Sequence, residues 1–218
     1  MKTQRMALAC LLFSLMLVPL TGWAEYTEGV EYVEVSPQPV DTGAKIEVRE
    51  FFWYSCPHCY HLEPVLNRWR KTLSPKVEFV RTPAIFRDTW AVQARAYFAF
   101  QALGVTHKLD AAMFKAIHEQ NRPLDTEASL TAFAVEQGLD EKRFSDAYHS
   151  FSMENSLKRV SELQTLYSIT SVPTLVVDGR YITSPALAHG QDEVVKILDF
   201  LVAKAIKERK KHPSSSTK

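Results

Sequence analysis

The chain has 218 residues, 46% of them hydrophobic and 23% charged, enough for one globular domain or for one domain carrying a large insertion. That composition excludes a disordered protein. With 26 basic against 25 acidic residues, nothing suggests nucleic acid as a partner.

The first 24 residues stand apart. Lys2 and Arg5 precede an apolar run from Met6 to Leu20, and small residues at Gly22 and Ala24 prepare cleavage before Glu25. This pattern predicts a cleaved signal peptide over residues 1–24; an uncleaved anchor is the alternative, for which the run is short. Cleavage removes Cys10, Lys2 and Arg5, leaving Cys56 and Cys59 as the cysteines of a near-neutral exported chain.

Gly29 to Val35 reads as a short strand ended by Ser-Pro-Gln-Pro, and Lys45 to Trp53 as a strand apolar on both faces, as in the middle of a sheet. A helix is expected from about Pro57 to Thr72, kinked at Pro64, then a strand at Val77 to Arg81. Between Thr89 and about Tyr167 helical periodicity takes over, including the apolar positions Phe144, Ala147, Tyr148 and Phe151, with breaks at Gly104, Pro123, Gly138 and Asn155. Strands return at Thr174 to Val177 and Arg180 to Thr183 around the turn signal Asp178-Gly179. A last helix runs from Gln191 to about Arg209, its basic end taken as solvated, and residues 212–218 are expected to be a disordered tail. A small mixed sheet with helices is thus interrupted by an all-helical block. The expected domains are 25–88 with 164–211, and an inserted helical domain over 89–163.

The chemistry concentrates in FFWYSCPHCYHLEP, Phe51 to Pro64. A structural disulfide across two intervening residues would constrain little of the unfolded chain. A zinc or copper site needs more ligands than Cys56, Cys59, His58 and His61 can bring from one turn. A redox couple fits better. Cys56 stands where a strand hands over to a helix, so unpaired backbone N–H groups and the helix dipole favour its thiolate, the reactive form. Pro57 suits the first helical turn, and His58 can add positive charge or a donor. Cys59 lies one turn on, more shielded. Glu50 shares a strand face with Ile46, Val48 and Phe52, an awkward place for a carboxylate unless it is paired, functional, or reaches solvent from the strand end. Val172-Pro173 either starts a strand or holds a special turn.

The stretch EFFWYSCPHC, Glu50 to Cys59, resembles the active-site segment of the DsbA family of periplasmic thiol:disulfide oxidoreductases, and Ser171-Val172-Pro173-Thr174 resembles that family's cis-proline loop. Trp53-Tyr54-Ser55 departs from the aromatic run of several relatives. The resemblance covers the mature chain and implies an α/β thioredoxin fold with an inserted helical domain. It implies an enzyme that donates disulfides to reduced exported proteins, with Cys56 forming the mixed disulfide and Cys59 resolving it. Glu50 would be a buried acid assisting the inner cysteine, and Val172-Pro173 a cis bond facing substrate. It also implies a periplasmic monomer without a cofactor, reoxidised by a membrane quinone-linked partner of the DsbB type. Two other readings stay open. One is a disulfide isomerase or reductase, although about 30 residues before the active site leave no room for a dimerisation domain. The other is a holdase gripping substrates through Phe51, Trp53 and Val172.

Overall fold

The computed structural model describes residues 26–211. The expected signal peptide, Cys10 and the expected tail lie outside the described residues. Five strands form one sheet in the order β1-β5-β4-β2-β3: β1 Val33–Glu34, β2 Ile46–Phe52, β3 Val77–Pro83, β4 Thr174–Val177 and β5 Tyr181–Thr183. β2 pairs in parallel with β3 across helix α1 (Pro57–Arg70), and antiparallel with β4; β4–β5 and β5–β1 are antiparallel. Every residue of β2 is buried, as its doubly apolar sequence requires of a central strand.

Between β3 and β4 lie five helices: α2 Asp88–Ala102, α3 Thr106–His118, α4 Glu127–Glu136, α5 Glu141–Tyr148 and α6 Phe151–Leu166; α7 is Gln191–Lys211. On one sheet face, Leu62, Leu66 and Trp69 of α1 and Ile197, Leu198 and Leu201 of α7 pack over Ile46, Val48, Leu175 and Val177. Trp69 Nε1 donates to Asp199 Oδ1 at 2.7 Å and ties these helices together. Phe51 and Val176 meet Leu163 and Tyr167 on the other face. A third cluster joins Phe52, Tyr54, Cys56 and Cys59 to Phe100, Met113, Phe114 and Phe133 of the helical block. The two cysteines therefore sit on the seam between sheet and block.

Some expectations need correction. The first strand keeps two residues because Gly29, at φ +83°, turns the chain and donates to Tyr32 O. Asn155 breaks nothing: it is exposed inside α6, and the break falls at Ser150, whose extended backbone (φ −64°, ψ 150°) starts that helix. Phe151, grouped by its spacing with Phe144, Ala147 and Tyr148, belongs to the next helix and is 83% exposed in the first turn of α6. α1 begins at Pro57 as expected, holds Pro64 inside it and ends at Arg70, two residues before Thr72. The Asp178-Gly179 hairpin forms with both residues at positive φ, and a Cβ on Gly179 would run into the Gln38 carbonyl oxygen.

Candidate functional site

β2 ends at Phe52, the chain turns through Trp53–Ser55 with Cys56 N donating to Trp53 O, and α1 begins at Pro57. Cys56 is the N-cap residue, extended at φ −81° and ψ 117°; no side chain caps the helix and its first turn holds no acid. The free N–H groups of that turn thus face the Cys56 sulfur. Its pKa is held down to about 6, first by the Cys59 thiol donating to it, then by the backbone N–H groups of Cys59 and His58 and by the His58 charge, against an opposing effect of burial. Sequence reasoning stressed the helix terminus and His58; the neighbouring sulfur counts for more. Pro57 and His58 are exposed, and Cys56 keeps 7% of its surface. Cys59 has none, and burial, the bond to Cys56 and the charge of Glu50 push its thiol far above the ordinary value. Both cysteines are free thiols here.

From across the sheet, Val172 brings its carbonyl oxygen to 3.6 Å from Cys56 Sγ. The Val172-Pro173 bond is cis, with Pro173 buried and Val172 half-buried. Thr174 Oγ1 donates to Ser171 O at 2.8 Å and closes that turn.

Glu50 is wholly buried and does not reach solvent at the strand end. The parallel register sets it beside Arg81, whose Nε donates to Glu50 Oε2 at 2.8 Å, while Glu50 Oε1 has no partner. Burial, opposed by Arg81 and reinforced by Glu63, raises the Glu50 carboxyl to about 7. Arg81 also holds Glu63 of α1 and, at 3.3 Å, Asp110 of α3. Sequence reasoning missed Arg81, Glu63 and Asp110. The available signal was an arginine and a glutamate in two apolar strands of one strand-helix-strand unit.

The loop before Cys56 is fastened to the helical block at each residue. Trp53 stacks on Trp90 at 3.8 Å, Tyr54 donates its hydroxyl to Asp110 and accepts at its carbonyl from His118 Nε2 at 2.7 Å, and Ser55 bonds Gln93. Phe51 packs wholly inside against Tyr167 and offers no outer surface to a client. Among the described residues no group of three or more His, Cys, Asp or Glu side chains is gathered to hold a metal ion.

A helix-start thiol beside a buried partner thiol, on a mixed sheet interrupted by helices, defines a thioredoxin-fold dithiol protein. The comparisons narrow the class. Residues 83–202 match the model of the DSBA-like thioredoxin domain. The thiol:disulfide interchange protein DsbA of Burkholderia cepacia is 42% identical over 176 residues, 80% of this chain and 82% of that protein. The protein of the same name from Pseudomonas aeruginosa is 39% identical over 181 residues, 83% of this chain and 86% of that one. A crystal structure of Pseudomonas aeruginosa DsbA superposes with a TM-score of 0.81 at 39% identity, covering 85% of this chain and 97% of the other. The chain belongs to the DsbA family.

Proposed function

We propose that this chain is a thiol:disulfide oxidoreductase that passes a Cys56–Cys59 disulfide to reduced exported proteins in the periplasm. A substrate thiolate attacks Cys56 Sγ, the sulfur-sulfur bond breaks, and Cys59 leaves with the electron pair and takes up a proton. A second substrate thiolate attacks the first substrate sulfur of the mixed disulfide and expels Cys56 as thiolate. The substrate is oxidised by two electrons and the Cys56–Cys59 pair is reduced. Cys56 is the better leaving group because helix-start donors and Cys59 welcome its charge, and a low-pKa thiol leaves faster. The observation that carries the reading is geometric: Cys56 stands at an uncapped helix start with the Val172 carbonyl 3.6 Å from its sulfur, while Cys59 beside it has no exposed surface, and the opposite pKa directions of the two thiols agree with it.

Pro57 and His58 tune Cys56, Glu50 exchanges a proton with Cys59, and the backbone at Val172-Pro173 aligns an extended substrate beside the sulfur, a use its 3.6 Å approach supports. Residues 25–88 and 164–211 act as the thioredoxin-like domain and 89–163 as the inserted helical domain. A cleaved signal over 1–24 delivers the chain, which works as a monomer and is reoxidised by a DsbB-type membrane partner. The family's naming as interchange proteins supports the activity.

The test is oxidation of a reduced two-cysteine peptide by the oxidised protein, with its potential read in glutathione buffers. Stoichiometric peptide disulfide, lost in Cys56→Ser, is expected. A potential as reducing as that of thioredoxin, or full activity on scrambled disulfides by a stable dimer, overturns the oxidant in favour of a reductase or isomerase. Undiminished protection of unfolded clients by Cys56→Ser would favour the holdase.

A further inference from the structure

Beneath Cys59 one guanidinium faces three carboxylates. Arg81 of β3 holds Glu50 of β2, Glu63 of α1 and Asp110 of α3, all with side chains at most 12% exposed. Fully ionised, the three carboxylates would exceed the Arg81 charge by two, and Arg70 of α1 can offset only one of these, so burial favours a proton on Glu50 or Asp110. Asp110 is the member supplied by the helical block, and its other oxygen accepts from the Tyr54 hydroxyl, two residues before Cys56. Asp110 and Glu63 also line a cavity of about 730 Å³ between α1, α3 and β3, which gives the cluster a side toward solvent that Glu50 lacks.

We propose that Asp110 is a positioning residue for the Cys59 half of the reaction: by competing with Glu50 for Arg81, it keeps a proton on the cluster and within reach of the inner sulfur. The role rests on the function proposed above. The charged and titratable groups facing the pair are Glu63 and Arg70 of α1, Arg81 of β3, Tyr97 of α2, Tyr54 of the active-site loop and Cys59 itself. His107 of α3 lines the same cavity. Removing the Asp110 charge frees Arg81 for Glu50 and takes away one repelling neighbour. Glu50 then gives up its proton at lower pH, so its carboxylate is available earlier to accept the proton of Cys59. In that step the proton passes from Cys59 Sγ to Glu50, Cys59 Sγ bonds to Cys56 Sγ, and the thiolate attached to Cys56 departs.

The experiment mixes reduced protein with the aromatic disulfide reagent DTNB and follows thionitrobenzoate release against pH. The first equivalent reports attack by Cys56, the second its displacement by Cys59. For Asp110→Asn, whose amide oxygen can still accept from Tyr54 and hold the loop, the midpoint of the second phase is expected about one pH unit lower, with a much smaller change in the first, and Asp110→Glu should restore it. Tyr54→Phe, which leaves Asp110 without its donor and so favours a proton there, should shift the second phase the same way and serves if Asp110→Asn does not fold. Coincident second-phase profiles, or a shift that Asp110→Glu does not undo, overturn the proposal. A wild-type first phase that follows an ordinary thiol would instead sink the reading of Cys56.

Discussion

Replacing Cys59 by alanine tests what holds the reactive thiolate. The Cys59 thiol is the foremost cause of the depressed Cys56 pKa, ahead of the backbone donors and His58. A hydrogen bond to a charged group is worth about 1.5–3 kcal/mol net, and about 1.4 kcal/mol corresponds to one pKa unit. Because water reaches the site and screens it, the lower end applies, about one unit. Cys56 should therefore move from about 6 to about 7. At pH 7 its ionised fraction falls from roughly nine-tenths to roughly one half, and alkylation slows about twofold, with no change at pH 9. Thiolate absorbance at 240 nm and iodoacetamide rates measured across pH 4–9 give the midpoint directly. Cys59→Ser, which keeps a hydroxyl donor, should lie closer to the wild type. If Cys59→Ala still titrates near 6 while His58→Ala rises, the ranking of causes is wrong.

Two further outcomes follow from the same structure. The folded reduced protein has a lowered Cys56 pKa, so its extra stability is present at high pH and is lost as pH falls through about 6; the disulfide form has no such contribution. Between pH 5 and 8 the Tm of the reduced protein should rise against that of the oxidised one, by about 2–4 °C per kcal/mol, with about 1 kcal/mol gained by pH 7 after screening; a constant difference refutes this. Gly179→Ala forces a side chain into positive φ and against the Gln38 carbonyl, so urea unfolding should show a loss of about 2–4 kcal/mol. Cys56 reactivity should stay unchanged, and an unaltered urea midpoint would contradict the turn geometry.

How much was legible depended on whether the physics was local. The central strand, the helix opening at Pro57 and the Asp178-Gly179 hairpin follow from short patterns of apolar spacing, a fixed φ and a tolerated positive φ. Cys56 and Cys59 were found because their spacing is itself the chemistry. Asn155 misled because a polar residue on an exposed helix face interrupts nothing. The Arg81 cluster was hidden because its three carboxylates stand 18 to 31 positions from Arg81 and meet it only through sheet register and helix packing. The dominance of Cys59 over His58 was likewise invisible, since spacing names neighbours without saying which one aims its proton at the sulfur.

The three residues ahead of the reactive cysteine are fastened, one after another, to helices drawn from a distant part of the sequence. It follows that the CPHC tetrapeptide is not a portable cartridge. Grafted onto a scaffold without Trp90, Gln93, Asp110 and His118, it would bring its two sulfurs but not the frame that aims them. Oxidants engineered by loop transplantation should recover their behaviour only when that helical frame travels with the loop.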